Sequence, residues 1–152
     1  VLGIGSLGPL GYAPASGTVS VAVAGIPAFW LLSQAPPWVY VVVAVVWTVV
    51  SVFVHDVGDR ILGTEDSGKL VWDELAGYFI ATLFLPFTWQ IAAASFLIER
   101  AIDILKVPPA RWIENRVAGG LGVVGDDVIA GLYTLVIMQL ALRYAPAAWL
   151  GL

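Results

Sequence analysis

Val39–Val54 reads VYVVVAVVWTVVSVFV, an unbroken apolar run set between Pro36-Pro37 and His55-Asp56. Crossing roughly 30 Å of hydrocarbon takes about 20 residues as a helix, so the run is slightly short, but nothing in it opposes insertion. Its valine content suits a strand. An open strand leaves its backbone groups unsatisfied in lipid, however, so a helix is the physical reading.

Working outward, Gly17–Ser33 is equally free of charge, with Ser20, Ala24 and Ala28 at i, i+4 spacing for close helix packing and Pro27 as an expected kink. Three less pure apolar stretches follow: Leu70–Pro86, Gln90–Leu105 and Val128–Leu142. The pattern predicts an all-α integral membrane bundle of about five apolar helices, forming one domain over residues 1–152. The connections Gln34–Pro37 and Phe87–Trp89 are uncharged, whereas His55–Lys69 and Lys106–Asp127 carry Arg60, Lys69, Lys106, Arg111 and Arg116. The positive-inside rule places both charged connections in the cytoplasm, with the tail after Arg143 outside and Arg143 snorkelling. Trp38, Tyr40 and Trp89 on one side, and Trp72 and Trp112 on the other, are expected in the interfacial belts.

Composition agrees. The 152 residues are 60% hydrophobic and 12% charged, about half the charge of an ordinary soluble domain, with a mean hydropathy of +0.92. No cysteine is present, which excludes a disulfide scaffold, a thiol-dependent phosphatase and a cysteine-rich zinc module. A net charge of −4 and no basic stripe argue against nucleic-acid binding. Residues 1–54 hold no Asp, Glu, Lys, Arg or His, and every acid lies between Asp56 and Asp127. The chain starts at Val1 rather than Met, which leaves an upstream targeting segment open.

The charges that interrupt the helices carry the chemistry. Asp73 and Glu74 sit about one turn inside an apolar helix, in LVWDELAG. In SFLIERAIDILK, Arg100, Asp103 and Lys106 step by three residues onto one helical face beside Glu99. Asp126 and Asp127 follow the run Gly119–Gly125 and open the last helix, where one of them can serve as an ordinary cap. Ionisable groups in spanning helices are costly and default to function, although an ion pair such as Glu99 with Arg100 is a structural alternative. In the expected topology the three clusters lie at the cytoplasmic helix ends and converge.

Five carboxylates, Asp73, Glu74, Asp103, Asp126 and Asp127, then face only Arg100 and Lys106, a shortage of positive charge that a divalent cation would relieve. Hard oxygen donors, with one His and no Cys, favour Mg²⁺ or Mn²⁺ over zinc. Arg100 and Lys106 are left to hold an anionic oxygen, and phosphate suits such a site. Direct water attack and a phospho-aspartate intermediate both stay open.

His55, at an expected helix end, reads as an interfacial residue rather than a ligand or base. The two G-x-G-x-x-G matches, from Gly3 and from Gly120, lack a strand–turn–helix context and read as flexible or close-approach loops.

Four blocks, GPLGYAPASGTVSV, EDSGKLVWDELAG, ERAIDILKVPP and GGLGVVGDDVIAG, together resemble the phosphatidylglycerophosphatase A family over nearly the whole chain. The resemblance implies a Mg²⁺-dependent phosphatase of the bacterial inner membrane, multi-pass and facing the cytoplasm, that converts phosphatidylglycerophosphate to phosphatidylglycerol. It points to Gly17-Thr18, Asp66, Asp73, Glu74, Arg100, Asp103, Lys106, Asp126 and Asp127, and with it Asp73, Glu74, Asp103 and Asp127 become the leading metal ligands, Asp66 a further one, Asp126 a ligand or general base, and Thr18 a phosphate donor or a helix cap. Ser16, Ser20 and Val107 depart from the family pattern in ways that touch loop stiffness more than ligand chemistry. Three other readings compete. One is a soluble or peripheral bundle with a very apolar core; another is a non-catalytic scaffold. The third is a small membrane transporter or ion-binding subunit using the same acids, which predicts midplane placement and no hydrolysis.

Overall fold

Pro36-Pro37 does start a helix, with Pro37 in its first turn where the missing N–H costs nothing. The computed structural model describes Gly3 and residues 6–63 and 69–152. Among these, all regular structure is helical: α1 Ser16–Leu32, α2 Pro37–Leu62, α3 Trp72–Ala81, α4 Trp89–Leu105, α5 Ala110–Arg116 and α6 Gly120–Tyr144, with single 3-10 turns at Leu10–Tyr12 and Ala147–Leu150.

Two helices are long and apolar enough to cross a membrane. α2 has 26 residues and α6 has 25, each close to 40 Å at about 1.5 Å per residue. The outward face of α2 shows Val42, Val45, Val46, Val49 and Phe53, each more than half exposed. Only 22% of its most apolar window is buried by the rest of the chain. Water penalises a continuous apolar face of that kind and lipid does not, which counts against the soluble bundle. The remaining apolar segments are shorter: α1 and α4 have 17 residues and α3 has 10.

Several expectations need correcting. α2 does not end at Val54; it continues through His55, Asp56 and Arg60 and stops where Gly63 turns left-handed at φ 68°. Nor is Gly119–Gly125 a loop. α6 begins at Gly120, so Asp126 and Asp127 lie nearly two turns inside it and cap nothing. The true cap is Asp56, whose Oδ1 accepts from the Gly120 N–H at 2.7 Å. Leu70–Pro86 is a short helix followed by irregular backbone, with Phe84 at φ 60°.

In α1 a π-helical turn, Val21–Gly25, precedes Pro27. Proline removes an N–H and crowds the carbonyl four residues back, and a widened turn absorbs both. α1 lies against α3 at Gly17, which abuts Glu74, and at Gly25, which abuts Tyr78 and Leu75. Of the belt aromatics, Tyr40 is internal, 4% exposed and hydrogen-bonded to Thr82, while Trp72 is half-buried and stacks on Trp47 at 4.0 Å. Trp38, Trp89 and Trp112 remain exposed.

Contacts between residues fix the directions. Tyr40 meets Thr82 and Ser51 meets Trp72, so α2 and α3 are antiparallel. Asp56 meets Gly120, which sets α6 antiparallel to α2. Lys106 meets Asp126 while Thr88 meets Leu150, so α4 also opposes α6. Alternation of this kind gathers the start of α1, the end of α2, the starts of α3 and α6 and the end of α4 at one end of the bundle.

α3 and α6 cross closely because both carry glycine there. A Cβ on Gly131 would strike the Gly77 carbonyl, and one on Gly77 would lie 2.8 Å from both the Asp127 carbonyl and Glu99 Oε1. Gly131→Ala is therefore expected to destabilise by about 1–3 kcal/mol, read as a lower melting temperature in detergent. An unchanged melting temperature would show that the crossing relaxes freely.

Candidate active site

At that common end the acids converge. Asp73 and Glu74 occupy the first turn of α3, where carboxylates are favoured by the helix dipole, yet Asp73 is turned inward and is 5% exposed. α4 brings Glu99, Arg100 and Asp103 along its last turns. The residue just after it, Lys106, is held left-handed at φ 47°, a conformation unusual for a side chain larger than glycine. That turn directs Lys106 Nζ to Asp126 Oδ2 at 2.8 Å. Asp126 also accepts from the Asp127 N–H through Oδ1.

Asp73, Glu74, Asp103, Lys106, Asp126 and Asp127 line a cavity of about 210 Å³, and Ile104 and Val123 supply its apolar edge. The volume admits a phosphate group and leaves a diacyl chain outside. Ile104 is 73% exposed, so the apolar edge continues onto the outer surface of the bundle.

Arg100 stands behind this wall. Its Nε and Nη2 donate to the two Glu99 oxygens at 2.7 Å each, Nη2 also donates to Asp127 Oδ1 at 3.1 Å, and Nη1 lies 3.2 Å from Asp103 Oδ2. The guanidinium is thus occupied by three carboxylates and is not part of the cavity lining. Thr18 is likewise absent from the lining, and its helix starts at Ser16 with Ala15 as the N-cap and no side-chain cap, so Thr18 does not cap α1. Its neighbour Gly17 abuts Glu74, one of the lining residues. Asp66 lies outside the described residues.

A hard divalent cation suits these donors. Asp103, Asp126 and Asp127 each offer one oxygen, and the three atoms lie within 4.8 Å of one another. Glu74 Oε2 is buried with no hydrogen-bond partner, an expensive state for a carboxylate oxygen unless a cation or a donor meets it. With Glu99 included, six carboxylates share this end with the fixed charges of Arg100 and Lys106.

His55 was misjudged from sequence. It is fully buried, with Nε2 3.2 Å from Asp73 Oδ1 and Nδ1 3.7 Å from Asp59 Oδ2. Its i, i+4 spacing to Asp59 and its place in an apolar run were the available signals. Glu99 was noticed only as a salt-bridge partner; its role in holding Arg100 under Asp127 needed the fold.

The phosphatidylglycerophosphatase A family profile matches residues 3–142. Phosphatidylglycerophosphatase A of Escherichia coli (strain K12) is 35% identical over 127 residues, covering 82% of this chain and 73% of that protein. The Haemophilus influenzae protein of the same name is 37% identical over 84 residues, 55% of this chain and 51% of its own length. A Bacteroides thetaiotaomicron protein described as a candidate phosphatidylinositol-3-phosphatase is 32% identical over 136 residues, 86% and 84% of the two chains. No solved structure matches significantly.

Proposed function

The chain belongs to the phosphatidylglycerophosphatase A family, phosphoric monoester hydrolases, and from that premise we propose that it removes the terminal phosphate of phosphatidylglycerophosphate in a Mg²⁺-dependent reaction at the cytoplasmic membrane face. The observation that carries the proposal is the convergence of five carboxylates and Lys106 on one small cavity at one end of the bundle. Transport would call for acids near the midplane.

Asp103, Asp126 and Asp127 would hold the metal, with Asp73 and Glu74 completing the oxygen shell. Bound there, Mg²⁺ supplies charge neutralisation at the phosphoryl oxygens and makes a water molecule a stronger nucleophile. Lys106 Nζ, at the cavity wall, is the side chain placed to bind a phosphoryl oxygen directly. If Asp103 and Asp127 hold the metal without it, Asp126 would instead take the proton of the attacking water at a carboxylate oxygen. Arg100 acts from behind, keeping Asp103 and Asp127 aimed forward. Thr18, beside the Gly17 that abuts Glu74, would supply a hydroxyl donor to the phosphate. The apolar Ile104–Val123 edge lets the glyceryl headgroup enter while the acyl chains stay in lipid.

The five apolar segments α1, α2, α3, α4 and α6 would then sit in the membrane, the shorter ones shielded by α2 and α6, since irregular backbone is tolerated at membrane depth when protein covers it. The expected result is phosphate release from phosphatidylglycerophosphate that stops on chelation and returns with Mg²⁺ or Mn²⁺. Full activity in chelator would sink the metal assignment. Faster release from phosphatidylinositol 3-phosphate would move the substrate assignment toward the Bacteroides relative.

A further inference from the structure

His55 belongs to a row on α2, Trp47, Ser51, His55 and Asp59, spaced four residues apart and so aligned on one helical face. Trp47 Nε1 and Ser51 Oγ both donate to the Trp72 carbonyl, at 3.0 and 3.1 Å. One turn further on, His55 Nε2 lies 3.2 Å from Asp73 Oδ1, and Asp59 stands 3.7 Å from the other ring nitrogen. The row therefore seams the first turn of α3, the turn that carries Asp73 and Glu74, onto a spanning helix. A fully buried imidazole between two carboxylates is poorly explained by apolar packing alone.

We infer that His55 is a positioning residue for Asp73: by engaging Oδ1 from behind the cavity wall, it fixes the carboxylate's rotation so that the second oxygen serves the cavity. The inference rests on the metal reading above. Outer partners of this kind orient ligands that would otherwise rotate freely, and their loss typically weakens metal binding about 10- to 100-fold. Asp59 steadies the ring from its far side. Nothing about His55 requires it to touch the substrate.

The test uses the full chain in detergent and Mn²⁺ binding followed by electron paramagnetic resonance, with phosphate release measured in parallel. His55→Leu fills a similar volume without a donor; His55→Gln keeps an N–H of comparable reach. His55→Leu is expected to bind Mn²⁺ about 10- to 100-fold more weakly than the unaltered protein. His55→Gln should recover most of that loss, and the metal-free melting temperatures should stay within a few degrees of one another. Should His55→Leu fail to fold, His55→Asn, whose shorter amide does not reach Asp73, takes its place in the comparison. Unchanged Mn²⁺ affinity in the donor-free variant would overturn the inference, as would a glutamine variant as weak as it. Absence of Mn²⁺ binding by the unaltered protein would overturn the metal reading itself, and this inference with it.

Discussion

Asp127→Asn is expected to abolish phosphate release while leaving the metal-free protein at least as stable as before. Asparagine keeps the shape of the side chain and one carbonyl oxygen, so the 3.1 Å contact from Arg100 Nη2 can persist. What it loses is one negative charge in a cluster already rich in them, and one oxygen that a cation needs. Losing a metal ligand removes several kcal/mol of transition-state stabilisation, and each 1.36 kcal/mol is a factor of ten, so the rate should fall by about 10³-fold or more. Like-charge repulsion falls at the same time, so the melting temperature without Mg²⁺ should hold or rise. Added Mg²⁺ is expected to raise the melting temperature of the unaltered protein and to raise that of the variant less, because ligand-linked stability scales with affinity. Parallel assays of phosphate release and thermal melting in detergent, with and without Mg²⁺, check each part. A variant retaining more than a tenth of the activity would remove Asp127 from the ligand set.

How far this was legible in the sequence depended on what a single chain encodes. The helical, membrane-facing character followed from charge exclusion, because a run like Val39–Val54 has few other physical outcomes. Convergence of the three acidic clusters followed from topology: alternating helices bring charged ends to the same side. Helix ends were misread for identifiable reasons. Past Val54 the apolar pattern stops, but the i→i−4 bonds continue, because His55 and Asp56 find partners on neighbouring helices. The run from Gly119 looked like a loop on propensity. A close crossing reverses that preference, since a Cβ on Gly120 would strike the Val52 carbonyl.

Side-chain roles that depend on register between helices were the least legible. The seam from Trp47 to His55 against the start of α3 needs the relative height of two helices, which no spacing within one helix encodes. The same holds for Arg100. On sequence it faced the substrate beside Lys106; in the fold its donors are spent on Glu99, Asp103 and Asp127. Lys106 reaches the cavity because a left-handed turn at the end of α4 redirects it, and such a turn at a lysine has no propensity signal.

Arg100→Met should therefore be more damaging to the fold than to any direct phosphate contact. The guanidinium is 8% exposed and Glu99 is fully buried, so the pair lies almost entirely out of water. Removing one partner of a buried pair strands the other, at a cost of about 3–5 kcal/mol. Here Asp103 and Asp127 lose a countercharge as well. Arg100→Met is expected to show a clearly lower melting temperature in detergent, even in saturating Mg²⁺. Adding Glu99→Gln to the same chain removes the stranded charge while keeping its volume, so the double variant should recover part of the loss, with a coupling of about 0.5–3 kcal/mol. Activity should stay low in both, because Asp127 is no longer held forward. This separates the two roles open to Arg100. A substrate-binding arginine would weaken substrate affinity on removal, leave the melting temperature near its original value, and show no rescue by Glu99→Gln. That outcome would return Arg100 to the phosphate and leave the orientation of Asp127 to its own helix.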